Sequence, residues 1–265
     1  MRIPIHLVIL LTAILGGTGC GTNKPRFKEP SYQGKPLTAW LRDYEMFQFA
    51  NDTSGEWSPP WTAEDRKVRE HAVQAVRQLG TNAIPVLLEM MTDNNGDYGR
   101  LAISGFRALG AAGRPAVPTL VKSLEQTLAN FQSRNYSNYD IHPAGACMAL
   151  GAIGPAAEDG VPILLEWRDR DKGPPAVFAL QALGEIHMHP EQAVPALISD
   201  LSNCDTNYSS GAHLLLTVLG NYGDQAKAAV PSILPFLSSK DDTVRATATN
   251  TLKQIGFNYT KAEEK

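Results

Sequence analysis

The stretch "GEIHMHPEQ" holds the residues of this chain whose types and spacing come closest to metal chemistry. Imidazole and carboxylate ligands at this spacing hold a transition metal when the loop folds around the ion. The alternative is a loop between two helices whose polar residues face water. We predict no metal, and His187 and His189 are the candidates if one binds, with Glu185 and Glu191 as the neighbouring carboxylates.

Local catalytic motifs are missing from the rest of the chain. It has no H-E-x-x-H, C-x-x-C, G-x-S-x-G or phosphate-binding G-x-x-x-x-G-K-[ST] sequence. Paired acids such as Asp241 and Asp242 are more typical of solvated loops than of acid-base machinery. We therefore expect a protein that is not an enzyme and needs no cofactor. A site assembled from distant residues remains the alternative.

The N-terminal segment has the three parts of a bacterial secretory signal: a positive start, an apolar core over 3–15, and small residues before Cys20. The apolar core is shorter than the roughly 20 residues of a membrane-spanning helix. The segment resembles a bacterial lipoprotein signal, in which the cysteine after the cleavage site carries a diacylglyceryl group. This resemblance implies a lipid on Cys20 and anchoring to a membrane of the cell envelope. The alternative is a plain secretion signal that is cleaved near Gly19 to Gly21 and leaves a soluble periplasmic or secreted protein.

The charge and the cysteine content argue against a nucleic-acid-binding protein and against a disulfide-rich protein. The 265 residues carry a formal net charge of −3, whereas nucleic-acid binders need clustered Lys and Arg. We therefore expect no nucleic-acid partner. Cys147 and Cys204 are the only cysteines after residue 20, which is too few for a disulfide framework. Cys147 lies in an apolar run and is predicted to be a buried free thiol.

An internal repeat accounts for most of the chain. Leu-Gly or Ile-Gly pairs close six similar segments, and the steps between their glycines are 30, 41, 33, 36 and 36 residues. A glycine just past a helix end accepts the left-handed conformation that stops the helix, so each of these glycines is expected to end a helix. Before them, apolar residues recur at helical spacing. The marker glycines are Gly80, Gly110, Gly151, Gly184, Gly220 and Gly256.

A proline marker follows each of the first five glycines, in "AIPVLLEMM", "AVPTLVKSL", "GVPILLEWR", "AVPALISDL" and "AVPSILPFL". A proline in the first turn of a helix gives up no needed N–H, so each marks the start of a second helix. One helix pair is too small to bury its apolar face alone, and the pairs must stack. The pattern predicts an all-α fold, namely an α-solenoid of stacked antiparallel helix pairs.

The repeat resembles the HEAT family, and more closely the phycobilisome-lyase-type HEAT-like repeat. The last copy, "DDTVRATATNTLKQIG", has an acidic start, a Val-Arg pair and a closing Ile-Gly, and "RKVREHAVQAVRQLG" is nearly as similar. This resemblance implies a curved array whose second helices line a concave protein-binding surface. It also implies the alternative function, an enzyme or enzyme subunit related to HEAT-like lyases with a site in the concave groove.

These patterns divide the chain into five parts. Leu37, Trp40, Leu41 and Tyr44 fall on one helical face ahead of the array, and this helix is expected to cap it. The parts are a lipoprotein-type signal peptide (1–19), a linker (20–35), the capping helix with a loop (36–61), about six HEAT-like copies (62–257) and a tail (258–265).

Two groups of residues are candidates for contact with a protein partner, whose identity the sequence does not give. Trp167, between Glu166 and Arg168, is typical of an interface anchor if it is half-exposed. The alternative is a tryptophan that packs between helices. The second group belongs to the insertion "NFQSRNYSNYDIH", where surface rings could either contact a partner or cover the repeat edge. Its aromatic residues are Phe131, Tyr136 and Tyr139.

Overall fold

The computed structural model describes residues 27–45, 62–93, 96–130, 141–170, 173–204, 206 and 210–257. In this part of the chain the fold is all-α apart from one antiparallel hairpin, β1 (Ser31–Tyr32) and β2 (Lys35–Pro36). The helices are α1 (Leu37–Glu45), α2 (Ala63–Leu79), α3 (Ile84–Met91), α4 (Gly96–Leu109), α5 (Val117–Asn130), α6 (Pro143–Ile153), α7 (Val161–Arg170), α8 (Pro174–Ile186), α9 (Pro190–Ser202), α10 (Ser210–Asn221), α11 (Val230–Ile233) and α12 (Asp242–Gln254).

The helices after α1 alternate between two kinds. The first helices (α2, α4, α6, α8, α10 and α12) carry the Leu-Gly or Ile-Gly marker, and the second helices (α3, α5, α7, α9 and α11) carry the proline marker. Each first helix contacts the next first helix, and α5, α7, α9 and α11 contact one another in series. Each second helix up to α9 also contacts the first helix that follows it. The helix pairs of the described residues therefore contact the pairs next to them along the chain.

Capping residues fix the starts of α2 and α12, which are the first helices of the first and last copies. At α2, Thr62 Oγ1 accepts a hydrogen bond from the Asp65 backbone N–H at 3.1 Å, and the Asp65 carboxylate accepts from the Thr62 backbone N–H at 2.9 Å. This reciprocal pair is a capping box, which satisfies two donors that the helix leaves open. At α12, Asp241 accepts from the backbone N–H groups of Thr243 and Val244. The acidic residues that open these two copies are therefore caps.

The marker glycines end helices in only some copies, which corrects the sequence prediction. Gly80, Gly110 and Gly256 have positive φ angles of 54°, 53° and 78°. In copies three to five, however, the marker lies inside the helix and the positive φ comes three residues later. The helices there end at Gly154, His187 and Gly223, with φ angles of 75°, 39° and 53°.

Inside these helices the marker glycines allow close approach instead. A Cβ atom on Gly151 would lie 3.0 Å from the Cα of Ala182 in the next first helix, and one on Gly220 would lie 2.1 Å from Gln254 Oε1. At Gly151 a larger residue would press on the α8 backbone, whereas at Gly220 the end of the flexible Gln254 side chain would have to move. The repeat motif is thus retained for packing between units where it does not stop a helix.

Side chains of one unit donate hydrogen bonds to backbone carbonyl oxygens of the neighbouring unit. The Arg77 Nε–H donates to the Ala108 carbonyl at 3.0 Å, and the Tyr222 hydroxyl donates to the Leu183 carbonyl at 3.2 Å. Thr251 Oγ1 donates to the Leu216 carbonyl at 2.9 Å. These bonds therefore join each unit to the backbone of its neighbour, in addition to the apolar contacts between the helices.

The segment ahead of the array packs more tightly than a linker would. Leu37, Trp40, Leu41 and Tyr44 are buried, and α1 contacts both α2 and α4, so α1 covers the first unit. The predicted linker over 20–35 is wrong from residue 27 onwards, where the chain joins the core and forms the hairpin. The Trp40 indole N–H donates to the Tyr32 carbonyl at 3.2 Å, which ties the hairpin to α1.

The hydrophobic core of the described residues falls into two clusters. One runs from Phe27 to Ile186 and the other from Ala193 to Ile255. Cys147 lies in the first cluster as a free thiol, as predicted, and burial raises its pKa to about 12. One described stretch, Pro143–Asp169, is long and apolar enough to cross a membrane. It comprises α6, a 3₁₀ segment and most of α7, and more than half of its most apolar window is buried in the protein.

Candidate functional site

A cavity of about 680 Å³ lies between α8 and α10. Pockets of roughly 300–1,000 Å³ are typical of ligand sites. The cavity lies at the boundary of the two core clusters, because α8 contributes to the first cluster and α10 to the second. Its lining residues are Val177, Gln181, Glu185, Gly211, His213, Leu214, Thr217, Val218 and Asn221. We call this space the α8/α10 groove.

The same repeat positions line the groove from both helices. Relative to the marker glycine, they lie seven residues before, three before and one after. These positions are spaced by four residues, so they lie on one face of each helix. The helices run in the same direction, since Asn221 at the end of α10 donates to the Gly184 carbonyl near the end of α8 at 3.2 Å. The matched pairs are Val177 with His213, Gln181 with Thr217, and Glu185 with Asn221.

Most polar groups of the groove are held by hydrogen bonds within the protein. His213 Nδ1 lies 2.8 Å from Thr247 Oγ1 of α12, and Thr217 Oγ1 donates to the His213 carbonyl at 2.8 Å. The Gln181 side-chain amide makes no hydrogen bond within the described part of the chain. These contacts fix the walls of the groove and leave Gln181 available to a ligand.

An ion pair closes the groove at the helix C-termini. The Arg107 guanidinium of α4 reaches past α6 to the Glu185 carboxylate, with N to O distances of 3.3 to 3.5 Å. Gly151 on α6 makes room for this pair, because a Cβ there would lie 2.6 Å from Glu185 Oε2. The Glu185 side chain remains 38% exposed. Since a carboxylate offers about four acceptor positions, Glu185 keeps capacity for a second cation.

Val177 supplies an apolar contact at the opposite end of the groove. Its side chain is 44% exposed, and among the described residues it is the one large hydrophobic residue that is exposed. An exposed aliphatic side chain inside a concave site favours burial by a ligand. The groove therefore has an apolar end at Val177, a polar middle at Gln181, and an acidic end at Glu185.

The metal candidates His187 and His189 do not converge on a common point. His187 Nδ1 lies 3.1 Å from the Glu185 backbone carbonyl, and His189 Nδ1 lies 3.1 Å from the Glu191 carboxylate. Both residues adopt left-handed backbone angles at the turn between α8 and α9. Among the described residues, no three His, Cys, Asp or Glu side chains are grouped so as to hold a metal.

Trp167 is a packing residue, so its interpretation as a half-exposed interface anchor is wrong. Trp167 lies on α7 and its side chain is 0% exposed. The indole N–H donates to the Leu124 carbonyl at 3.3 Å. The tryptophan is the largest fully buried side chain of the described residues. A periodic apolar position in a second helix faces the neighbouring unit, which explains the burial.

Of the two residues beside Trp167, Glu166 is exposed and Arg168 is mostly buried. Glu166 is exposed on α7. The Arg168 side chain is only 10% exposed, and its Nε lies 3.4 Å from the Asp200 carboxylate of α9. Arg168 therefore joins α7 to α9 and is not a free contact for a partner. The other partner-binding candidates, Phe131, Tyr136 and Tyr139, lie outside the described residues, as does Cys20.

The groove lies on the first helices, whereas the sequence prediction placed the binding surface on the second helices. That expectation came from the family resemblance and not from a pattern in the residues. The signal that could have located the groove was the alignment of the copies on their marker glycines. Three residues before the marker glycine, five of the six copies have a polar residue. The six residues are Arg77, Arg107, Met148, Gln181, Thr217 and Lys253.

No protein-family model matches this chain, and no curated protein matches it.

Proposed function

We propose that this chain is an exported, lipid-anchored α-solenoid that binds another protein and has no enzyme activity. The serial contacts among the first helices, and among α5, α7, α9 and α11, support the solenoid. In such an array each unit contacts only its neighbours, and the outer surface is extended relative to the core. Extended surfaces of this kind suit a scaffold or adaptor.

The observation that carries the proposal is the α8/α10 groove with the exposed Val177 inside it. A side chain of this type contributes roughly 25 cal/mol for each Å² of apolar surface removed from water. A partner that covers Val177 gains this contribution, and the flanking amides and hydroxyls give it orientation. The groove therefore supports binding by a combination of apolar and polar contacts.

The contacts of the titratable groups favour binding over catalysis. A general base must hydrogen-bond the proton that it removes from a substrate. In the groove, Glu185 faces Arg107, and the His213 Nδ1 faces Thr247. Glu185 thus joins α8 to α4, and His213 joins α10 to α12. This arrangement supports a scaffold in preference to a HEAT-like lyase.

Anchoring rests on the lipid predicted for Cys20. Acyl chains contribute about 0.8 kcal/mol for each buried methylene, so a multiply acylated cysteine holds a folded domain on a membrane. We expect Cys20→Ser to abolish retention in the membrane fraction of a bacterial host that processes the wild-type protein. Detergent phase partitioning followed by immunoblotting measures this, with Cys204→Ser as the matched control. Unchanged membrane retention of the Cys20→Ser variant would exclude the lipid anchor.

A crosslinked pull-down from the native envelope tests partner binding. The bait is the tagged full-length protein, compared with a Val177→Asp variant and with a Glu125→Lys variant on the exposed face of α5. We expect the wild type and the Glu125→Lys variant to capture the same protein. The amount captured by Val177→Asp should be at least tenfold lower. Capture unaffected by Val177→Asp would place the partner elsewhere on the array. Absence of any enriched protein with intact bait would contradict the scaffold proposal.

A further inference from the structure

The two rows of side chains in the α8/α10 groove have a spacing that matches an extended peptide. Val177, Gln181 and Glu185 lie four residues apart on α8, which corresponds to about 6 Å along the helix axis. Alternate residues of an extended chain lie about 6.6 Å apart. The mismatch over two steps is therefore only about 1 Å. A peptide that lies lengthwise in the groove can present one side chain to each of the three positions.

The polar groups of the groove suit peptide units. A peptide unit has one donor and one acceptor, and a primary amide offers both. Gln181 has a side-chain amide without a partner in the described residues, and Asn221 uses its Nδ2 on the Gly184 carbonyl while its Oδ1 remains an acceptor. These two amides come from the two opposite walls. They can therefore bind the main chain of a peptide between them.

Charge distinguishes the two ends of the groove. Glu185 is the one carboxylate among the lining residues, and its side chain is partly exposed beside Arg107. The C-termini of α8 and α10 lie at the same end and add partial negative charge. The Val177 end has no carboxylate among its lining residues, and the His213 imidazole of α10 lies opposite Val177 there. Complementarity thus favours a basic group at the Glu185 end and an aliphatic group at the Val177 end.

We propose that the α8/α10 groove binds an extended peptide segment of a partner protein in which an aliphatic residue and a Lys or Arg are four positions apart. The eight residue steps from Val177 to Glu185 along α8 span about 12 Å, and four residue steps of an extended chain span about 13 Å. The aliphatic side chain covers Val177, and the basic side chain shares the Glu185 carboxylate with Arg107. This inference rests on the proposed function, because it specifies the partner of the same site.

A peptide-display experiment tests the spacing. A random twelve-residue library is selected on the immobilised full-length protein. We expect enrichment of sequences with Leu, Ile or Val four positions from Lys or Arg. A fluorescein-labelled peptide with Leu and Lys at this spacing in a Gly-Ser background is then titrated by fluorescence polarisation. It should bind at least tenfold more tightly than peptides with a spacing of two or six, or with Glu in place of Lys.

Variants of the two groove ends separate the two contacts. Val177→Asp should weaken binding of the spacing-four peptide at least tenfold. Glu185→Gln keeps the side-chain shape and should reduce the preference for Lys over Gln in the peptide to less than threefold. Glu125→Lys on α5 should change neither, and circular dichroism with thermal unfolding checks that each variant is folded. If neither Val177→Asp nor Glu185→Gln changes the binding of the peptide, the proposal is overturned.

The outcomes distinguish this inference from the proposed function. Selection without the spacing-four pattern, or no binding of the peptide, overturns the peptide inference. If the pull-down still captures a partner that Val177→Asp loses, the scaffold function stands with a different ligand shape, such as a helix. If neither experiment yields a partner or a peptide, both proposals fail.

Discussion

Replacing Trp167 with alanine is expected to lower the free energy of unfolding by about 3–5 kcal/mol, the range for truncating a large buried aromatic side chain. The indole is fully buried and its N–H donates to the Leu124 carbonyl of α5. The substitution therefore removes apolar contacts between α5 and α7 together with the hydrogen bond from the indole to the Leu124 carbonyl. Since globular domains are stable by only about 5–15 kcal/mol, the substitution removes a large share of the total stability.

Two further substitutions show whether this loss reflects packing. Trp167→Phe keeps a ring but loses the hydrogen bond, and it should cost less than Trp167→Ala. Glu166→Ala changes the exposed neighbour and should alter the free energy of unfolding by no more than about 0.5 kcal/mol. Urea denaturation followed by circular dichroism measures all three. A loss below about 1 kcal/mol for Trp167→Ala would contradict the buried placement.

Replacing Gly151 with leucine is the second change with a large expected effect. The new Cβ would lie 3.0 Å from the Cα of Ala182 and 2.6 Å from Glu185 Oε2. The Glu185 side chain can move aside, but the α8 backbone cannot do so without shifting the whole helix. Overpacking of this kind costs about 1–3 kcal/mol. The substitution should also separate Arg107 from Glu185 and so alter the acidic end of the groove.

A glycine in open space provides the control for Gly151. A Cβ on Gly99 of α4 would meet no heavy atom within 4 Å. Gly99→Ala should therefore raise stability, by about 0.5–1 kcal/mol, because alanine restricts the unfolded chain. Thermal unfolding of both variants gives the comparison. Equal midpoints for Gly151→Leu and the wild type would show that α6 and α8 do not approach closely at this position.

The sequence predicted the helices well because the repeat gives the same local signals several times. Proline in the first turn marks the start of α3, α5, α7 and α11, and apolar residues at helical spacing mark the buried faces. The prediction is wrong for Pro195, which lies inside α9, because that helix begins earlier, at Pro190. The prediction of α1 succeeded for the same reason, since Leu37, Trp40, Leu41 and Tyr44 share one apolar face and are all buried.

The marker glycines illustrate where local signals were ambiguous. A glycine can stop a helix or allow another helix to approach, and only the neighbouring unit decides which role applies. Gly80 ends its helix, whereas Gly151 lies one turn before the end of α6 and contacts α8. The sequence of a single copy does not contain this information.

The functional site was the least accessible to sequence reasoning. Trp167 was predicted to be an interface residue because tryptophan is common at interfaces, but tryptophan is equally suited to a packed core. Val177 and Gln181 are unremarkable residue types, and they acquire meaning only through their exposure beside His213 and Thr217 in the folded protein. Exposure depends on contacts between units, so it could not be predicted from one helix.

Photo-crosslinking at Val177 tests the central claim, that the α8/α10 groove binds a protein partner, most directly. A photoreactive phenylalanine derivative replaces Val177 in the full-length protein in its native host, and in a second strain it replaces Glu125 on α5. After irradiation, the covalent adducts are identified by mass spectrometry. We predict one protein adduct at position 177 that is absent at position 125. Adducts at neither position, or the same adducts at both, would contradict a partner in the groove.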